Sequence, residues 1–252
     1  RTVIENIGGQ LATLHIQPGD SIGIVTPNGP EAATIFIAVA SFATAAPLNP
    51  SYTKDEFKFF LQDLDAKILI VLENDASEAI TAAQELNIKV IKIRTQNLPG
   101  EITLTIDKQI LEPSTARFNN TQDIGLVLHT SGTTSRPKIV PLSVDNITVS
   151  ARNIARTLKL TNSDCYLNIM PLFHIHGLIA GVLTTLESGG SMFCSYGFDA
   201  LKFFNLLDNV KPTWFSAVPT MHQAILSRAT RNANIIEKAN LKFIRSSSAS
   251  LP

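Results

Sequence analysis

A run of small polar residues that ends in a lysine carries the side-chain types that hold phosphate. It reads His129-Thr130-Ser131-Gly132-Thr133-Thr134-Ser135-Arg136-Pro137-Lys138. Hydroxyls and free backbone N–H groups donate to phosphate oxygens, and the Lys138 ammonium offsets the remaining negative charge. The run differs from a Walker loop, because no glycine directly precedes Lys138 and no Ser or Thr follows it. A solvated turn is the alternative interpretation, since these are also the usual turn residues, but the density of hydroxyls favours a nucleotide phosphate.

Two histidines form a second group with possible chemistry, in Met170-Pro171-Leu172-Phe173-His174-Ile175-His176-Gly177. They are two residues apart, so an extended backbone points both side chains the same way. A metal site is one interpretation, because imidazole is a common ligand. It needs a third ligand, and no Cys, Asp, Glu or further His stands nearby at a sensible spacing. A polar loop is the other interpretation.

The segments that must position these residues alternate between strand and helix. Ile124-Gly125-Leu126-Val127-Leu128 is an apolar run typical of a buried strand, and Thr53-Lys54-Asp55-Glu56 has the form of a capping box. The other predicted strands cover residues 21–25, 67–72, 89–93, 102–106, 139–142, 166–170, 191–194, 213–217 and 242–245, and the main predicted helices cover 31–43, 77–86, 143–158, 177–186, 199–207 and 220–228. This alternation predicts an α/β fold with mostly parallel sheets. A break near Thr161 predicts two packed α/β lobes, residues 1–160 and 161–252.

Composition excludes several classes of partner. The 21 Lys and Arg residues balance 21 Asp and Glu residues, so no net field favours nucleic acid or an anionic membrane. The most apolar segment, residues 32–48, contains three hydroxyl residues and Pro47, which makes it too short and polar for a membrane span. Cys165 and Cys194 are too few for a disulfide framework and suit a reducing compartment. We therefore expect a cytoplasmic protein.

The phosphate run, residues 130–138, resembles the signature loop of the adenylate-forming superfamily, which includes acyl-CoA synthetases, luciferases and the adenylation domains of peptide synthetases. The usual pattern is Thr-Ser-Gly-Ser/Thr-Thr-Gly-x-Pro-Lys-Gly. This chain departs from it at Ser135 and Ile139, where glycine is common, and matches at Thr130, Ser131, Gly132, Thr133, Thr134, Pro137 and Lys138. The resemblance implies that the loop, Ser135 included, binds the β- and γ-phosphates of ATP together with Mg²⁺. It also makes Lys138 and Thr134 candidate catalytic residues.

Two further segments resemble the same superfamily. Pro171-Leu172-Phe173-His174 looks like the acyl-CoA synthetase motif whose histidine lines the carboxylate site, which makes His174 a candidate catalytic residue and leaves the role of His176 open. Amino-acid-activating domains usually carry Asp where His174 stands, so a plain carboxylic acid is favoured. The serine-rich end resembles the segment that forms a wall for adenine and the acyl group, with Ser247, Ser248 and Ala249 at its small positions.

The resemblance implies an AMP-forming ligase that activates a carboxylic acid with ATP and passes the acyl group to coenzyme A. The oxalate–CoA ligases are the most similar branch. It also implies that the chain is the amino-terminal part of an adenylate-forming enzyme, without the carboxyl-terminal domain, and inactive or very weak by itself. A nucleotide-binding module without turnover and an adenylation domain that loads a carrier-protein thiol are the alternatives. A P-loop kinase is disfavoured by the spacing of the loop.

Overall fold

Strands and helices alternate along most of the chain in a computed structural model that describes residues 1–130 and 137–251. The predictions for Ser131, Gly132, Thr133, Thr134 and Ser135 fall outside the described residues. The chain forms two compact units. The first contains residues 1–27 and 31–147, and the second contains residues 28–30 and the chain from Thr148 onward. The division into lobes at residue 160 stays a prediction.

The first unit is built on an eight-stranded sheet. Its strands are β1 (Ser21–Val25), β2 (Thr44–Pro47), β3 (Ile68–Leu72), β4 (Lys89–Thr95), β5 (Ile102–Ile106), β6 (Gln109–Ile110), β7 (Ile124–Thr130) and β8 (Lys138–Ser143). Their spatial order is β6-β5-β4-β3-β1-β2-β7-β8. The five strands from β4 to β7 in that order run parallel, and antiparallel strands extend the sheet at both edges.

Helices cover this sheet because their apolar stripes match its apolar strands. They are α1 (Thr2–Thr13), α2 (Pro30–Phe42), α3 (Lys54–Asp63), α4 (Glu78–Glu85) and α5 (Val144–Thr157), the last of which continues into the second unit. Helix α3 begins with the predicted capping box, in which Thr53 and Glu56 satisfy each other's backbone N–H groups. Its buried Phe57 and Leu61 share one apolar cluster with Leu69 and Val71 of β3.

The second unit contains a four-stranded parallel sheet in the order β10-β9-β11-β12. These strands are β9 (Cys165–Asn168), β10 (Ser191–Cys194), β11 (Trp214–Ala217) and β12 (Phe243–Ser246). The connecting helices are a π-helix (His176–Leu183), α6 (Thr184–Glu187), α7 (Phe203–Val210), α8 (Pro219–Leu226), a 3₁₀ turn (Thr230–Asn232) and α9 (Ala233–Lys238). The prediction of an α/β fold with mostly parallel sheets is confirmed.

A buried carboxylate ties together the amino ends of three strands in the second unit. Asp164 is 1% exposed and accepts from Lys242 Nζ at 2.7 Å and from Thr213 Oγ1 at 2.8 Å. It also accepts from the Thr161 backbone N–H at 2.8 Å. Burial alone would raise its pKa, but these donors outweigh burial and hold the pKa at about 2. The network is structural, since it joins the starts of β9, β11 and β12.

Candidate functional site

Strands β7 and β8 bring the two ends of the predicted phosphate run together. Their antiparallel register places Thr130 opposite Lys138 and His129 opposite Ile139, and side chains of such cross-strand partners are immediate neighbours. Thr130 and Lys138 are both exposed. Within residues 1–130 and 137–251, no carboxylate lies at ion-pair distance from the Lys138 ammonium. In this part of the chain, a hydroxyl and a cation without a carboxylate partner therefore lie side by side, and both kinds of group can bind an anion.

His129 anchors the end of β7 from its buried side. Its Nε2 lies 3.1 Å from Asp63 Oδ2 at the end of α3, and its ring meets the Phe60 ring edge-on at 4.6 Å between centroids. Burial lowers the pKa of His129, and the Asp63 carboxylate opposes that effect. This contact between helix and strand holds the hairpin end in place without occupying the exposed positions of Thr130 and Lys138.

In the second unit, one asparagine side chain supports the turn that carries the histidine motif. Asn28 Nδ2 donates to the Met170 carbonyl at 2.9 Å, and its Oδ1 accepts from the Leu172 N–H at 2.8 Å. Both bonds span more than 140 residues of sequence. They satisfy backbone groups of a segment that belongs to no strand or helix, which is the requirement for a turn of fixed shape.

The expectation that His174 and His176 point the same way is wrong. Ile175 between them has helical dihedral angles, and the Leu178 N–H already donates to the His174 carbonyl at 3.1 Å. Each helical residue rotates the chain by about 100°, so residues two apart face nearly opposite directions. His174 is exposed and lies against the Phe173 ring, whereas His176 is 6% exposed. Partial burial lowers the pKa of His174.

The segment after the motif is a π-helix, where the sequence predicts an ordinary helix over residues 177–186. The Thr184 hydroxyl donates to the carbonyl of Ile179, five residues earlier, at 2.8 Å. Gly177 is required here, because a Cβ at that position would lie 2.3 Å from the Pro171 carbonyl oxygen. Such π-turns are rare in proteins as a whole, and those that occur frequently lie at functional sites. The wider turn starts at His176 and thereby sets the direction of its ring.

His176 lies at the centre of a hydrogen-bonded network, which we call the His176 network and define as His176, Ser216, Arg245, Ser247 and Ser248. His176 Nε2 lies 2.6 Å from Ser216 Oγ and 3.1 Å from Arg245 Nη1, and its Nδ1 lies 3.1 Å from Ser248 Oγ. Arg245 also donates to Ser216 Oγ at 3.1 Å and to Ser247 Oγ at 3.3 Å. The network joins β11, β12 and the start of the π-helix.

The charge state of this network follows from its burial. The pKa of His176 is lowered to about 4, mainly by burial and to a smaller extent by the nearby Arg245 and His222. The imidazole is therefore neutral at pH 7. Burial also lowers the pKa of Arg245, but a guanidinium stays charged in proteins. The network thus combines one permanent cation with a neutral hydrogen-bonding ring.

A cavity of about 140 Å³ opens beside the network. Its polar wall is formed by four members of the network, His176, Arg245, Ser247 and Ser248, and its remaining walls by Ser150, Ile154, Ile175, Ile179 and Ala180. A second cavity, of about 290 Å³, lies along α5 and shares Ser150, Ile154 and Arg245 with the first. Arg245 therefore lines both cavities.

Of the three site residues predicted at the serine-rich end, two line the cavity and one does not. Ser247 and Ser248 line the cavity, whereas Ala249 is exposed next to them. Ser248 has a φ of +76°, a left-handed conformation that costs energy for serine. Sequence analysis did not select Ser216 or Arg245 as site residues and left His176 open. A charged residue at the end of a predicted strand, directly before a serine run, is the signal that could have identified Arg245.

Residues 2–252 match the family of AMP-binding enzymes. The chain belongs to this family. The predicted membership of the adenylate-forming superfamily is thereby confirmed. An oxalate–CoA ligase of Arabidopsis thaliana is 40% identical over 255 residues, which cover 99% of this chain and 49% of that protein. An oxalate–CoA ligase of Saccharomyces cerevisiae is 34% identical and is matched by 92% of this chain over 46% of its own length. The chain spans about half the length of the curated relatives it matches.

Solved structures share the fold of this chain. ATP-bound MatB from Rhodopseudomonas palustris superposes with a TM-score of 0.81 at 24% identity, over 99% of this chain and 49% of that one. The O-succinylbenzoate coenzyme A synthetase MenE from Bacillus subtilis, in complex with AMP, gives a TM-score of 0.80 at 23% identity, over 100% of this chain and 48% of that one. At these identities the likeness establishes the fold alone.

Across residues 1–130 and 137–251, no three His, Cys, Asp or Glu side chains are grouped so that they could hold a metal ion. Throughout the same ranges, no helix is both long enough and apolar enough to cross a bilayer.

Proposed function

We propose that this chain forms the acid-activating part of an AMP-forming acid–thiol ligase whose substrate is a small dicarboxylic acid, with oxalate as the first candidate. One substrate carboxylate attacks the α-phosphorus of ATP, pyrophosphate leaves, and an acyl-adenylate forms. A thiol then attacks the activated carbonyl, and AMP leaves. Catalysis of this kind depends mainly on positioning and on stabilising charge, which are the two properties that the described residues supply.

The observation that carries the choice of acid is the unpaired charge of Arg245. Among the described residues, no carboxylate lies at ion-pair distance from its guanidinium. Its bonds to Ser216, His176 and Ser247 use three of its five N–H groups. Two N–H groups are left for a ligand, which matches the bidentate geometry of a carboxylate. A second carboxylate on the substrate would provide the missing negative charge.

The size of the cavity supports the same choice. About 140 Å³ is well below the roughly 300–1,000 Å³ of pockets that take drug-sized ligands. Arg245 also lines the larger cavity along α5, so an acyl chain that extended there would lie beside a charged side chain. Both features favour a short acid over a fatty acid.

ATP fits the residues at the end of the β7–β8 hairpin. The exposed Thr130 hydroxyl and the unpaired Lys138 ammonium offer a donor and a positive charge to phosphate oxygens. Mg²⁺ would reach this site bound to ATP, because it commonly binds through substrate phosphates with few protein ligands. Among the described residues, no group of three ligating side chains would compete for it. When bound, Mg²⁺ would share the charge of the phosphates.

Coenzyme A is the thiol that we propose as acceptor, and a carrier-protein thiol is the alternative. Within residues 1–130 and 137–251, Cys165 and Cys194 form no disulfide, which supports a reducing compartment such as the cytoplasm. A complete ligase uses residues beyond those of this chain if it has the length of the relatives, so the tests below use the longest polypeptide that the gene encodes.

The proposal is tested by pyrophosphate release in the presence of ATP, Mg²⁺ and one acid at a time, from oxalate, malonate and succinate to acetate, butyrate and palmitate. We expect release with a dicarboxylic acid, AMP as the nucleotide product, and a coenzyme A thioester when the thiol is added. ADP as product would indicate a kinase instead. Release with long fatty acids alone would contradict the proposed acid class.

The matched variant is Arg245→Met, which keeps the length of the side chain and removes its charge. Hydrogen bonds to charged groups are worth about 1.5–3 kcal/mol, so kcat/KM for the diacid should fall roughly 10- to 100-fold. Activity with acetate or butyrate should fall much less. A uniform loss over all acids would mean that Arg245 maintains the fold of the site and does not select the acid.

A further inference from the structure

Ser216 is a fully buried hydroxyl at the centre of the His176 network. It lies on β11 with an exposed fraction of 0%, and its Oγ contacts three groups: His176 Nε2 at 2.6 Å, Arg245 Nη1 at 3.1 Å and the Arg245 carbonyl at 3.4 Å. A buried hydroxyl is costly unless it is hydrogen-bonded. Of the three contacts, the one to Nε2 is the shortest and therefore dominates the position of the hydroxyl hydrogen.

The positions of the Ser216 and His176 protons follow from the neighbouring group that can donate a hydrogen bond but cannot accept one. Arg245 Nη1 carries hydrogens alone and faces both Ser216 Oγ and His176 Nε2. A hydrogen on Nε2 would point toward the hydrogens of Arg245 Nη1, so Nε2 is the unprotonated nitrogen. It accepts from the Ser216 hydroxyl at 2.6 Å. The ring proton then lies on Nδ1 and is donated to Ser248 Oγ at 3.1 Å.

We propose that Ser216 is a positioning residue that holds His176 in the tautomer with the proton on Nδ1 and thereby leaves the Ser248 hydroxyl hydrogen free to donate into the cavity. Donation runs in one direction, from Arg245 to Ser216, from Ser216 to His176 and from His176 to Ser248. Because Ser248 accepts from the ring, its own hydrogen is directed elsewhere, and Ser248 lines the cavity of about 140 Å³. Its left-handed φ of +76° is a conformation that persists only where the surroundings enforce it.

The consequence for the reaction rests on the proposed function. In that reaction, the Ser248 hydroxyl would donate to a carboxylate oxygen of the bound acid, next to the free N–H groups of Arg245. Ser216 itself touches no ligand in this scheme, since it is fully buried behind His176 and Arg245. Its removal should therefore weaken acid binding through the tautomer of His176.

The direct test is an NMR measurement of the histidine ring nitrogens in the full-length protein, labelled with ¹⁵N-histidine. The resonances of His176 are assigned by their loss in a His176→Gln variant. The unsubstituted protein should show a protonated Nδ1 and an unprotonated Nε2. Ser216→Ala should give a mixture of tautomers or a proton on Nε2, whereas Ser216→Thr, which keeps the hydroxyl, should retain the original pattern.

Ser195→Ala is the matched control, because Ser195 is another buried hydroxyl of the second unit and is 4% exposed. Among the described residues, its hydroxyl bonds to backbone groups of Asn168 and Gly197 and to no side chain. This substitution should leave the His176 signals unchanged. A proton on Nε2 in the unsubstituted protein, or an unchanged tautomer in Ser216→Ala, would overturn the proposal.

A kinetic measurement on the acid identified by the panel completes the test. Ser216→Ala should raise the KM for the acid about 10-fold with a smaller change in kcat, and Ser216→Thr should restore most of it. If no acid supports pyrophosphate release, the proposed function fails, while the NMR result still decides the role of Ser216. If the tautomer changes but KM does not, the link from His176 to acid binding is refuted.

Discussion

The end of the β7–β8 hairpin and the His176 network differ in the exposure and the pairing of their polar side chains. At the hairpin, Thr130 and Lys138 are exposed, and in the part of the chain that the structure describes the Lys138 ammonium has no carboxylate partner. In the network, His176 and Ser216 are buried and bonded to each other and to Arg245. Under the proposed function, a ligand would complete the contacts of the hairpin end, whereas the network is held together by hydrogen bonds among its own side chains.

This difference indicates how each region can contribute to a reaction. Exposed groups without partners are suited to capture a highly charged ligand such as a triphosphate, because little existing structure must be broken. A preorganised network is suited to select a small ligand, since its donors do not need to reorient on binding. The hairpin should therefore govern the rate with every acid, and the network should govern which acid is used.

The largest expected effect is that of Lys138→Ala. Loss of one well-placed charged contact should slow acid-dependent pyrophosphate release by about 10²-fold or more, with all acids affected equally. Thermal unfolding should change little, because the side chain is exposed. The assay is the rate of pyrophosphate release, with Lys89→Ala, another exposed lysine of the same sheet, as the control. Equal rates in Lys138→Ala and the parent protein would remove the role given to Lys138.

Asp164→Asn distinguishes a structural network from the His176 network, because the buried network of Asp164 faces no candidate ligand. Removing a buried charge that accepts from Lys242, Thr213 and Thr161 should lower the free energy of unfolding by about 2–4 kcal/mol. The preference among acids should stay the same. Urea denaturation measures the first effect and the acid panel the second. Asp208→Asn, at an exposed position, should change neither, and an altered acid preference in Asp164→Asn would contradict a purely structural role.

The smallest expected effect is a pH dependence of stability caused by His176. Its pKa is about 4 in the folded protein and about 6.5 when unfolded. Between these values the unfolded chain binds more protons, so the free energy of unfolding falls as pH decreases from about 6.5 to about 4. The contribution of this one group is about 1–3 kcal/mol. This contribution to the free energy of unfolding is fully present at pH 7 and is lost below pH 4.

Urea denaturation at several pH values checks this effect in the parent protein and in His176→Gln. The variant should show a shallower decline of stability between pH 6.5 and pH 4, because only the share due to His176 is removed. Lys138→Ala should keep the slope of the parent protein, since it leaves the network intact. Identical slopes in His176→Gln and the parent protein would mean that the ring is not held neutral by its surroundings.

Much of the fold was predictable because local patterns determine it. The strand over residues 21–25, the strand over 102–106 and the capping box at Thr53 and Glu56 were predicted with their observed bounds or contacts. β2 was not predicted, since Thr44–Pro47 follows α2 after a single residue and its apolar side chains continue the apolar run of that helix. Only pairing with β1 and β7 gives this segment its strand conformation.

The site was predictable to a smaller extent. The phosphate run depends on consecutive residues, so its composition and its resemblance to adenylate-forming enzymes were visible in the sequence. The His176 network was not, because its contacts link residues that are 40, 69 and 72 positions apart. The divergence of His174 and His176 depended on the helical conformation of Ile175, which their spacing alone does not specify.

The amino-acid sequence was enough to identify the family, the alternation of strands and helices, and a set of candidate residues for phosphate binding. These features rest on side-chain periodicity and short motifs, which act between neighbours in the chain. The tertiary structure alone decided that His176 is the buried histidine, that Arg245 faces it without a carboxylate partner among the described residues, and that Ser216 links the two. Burial and hydrogen bonding between distant segments set the charges and tautomers of these groups, and such contacts exist only once the chain has folded.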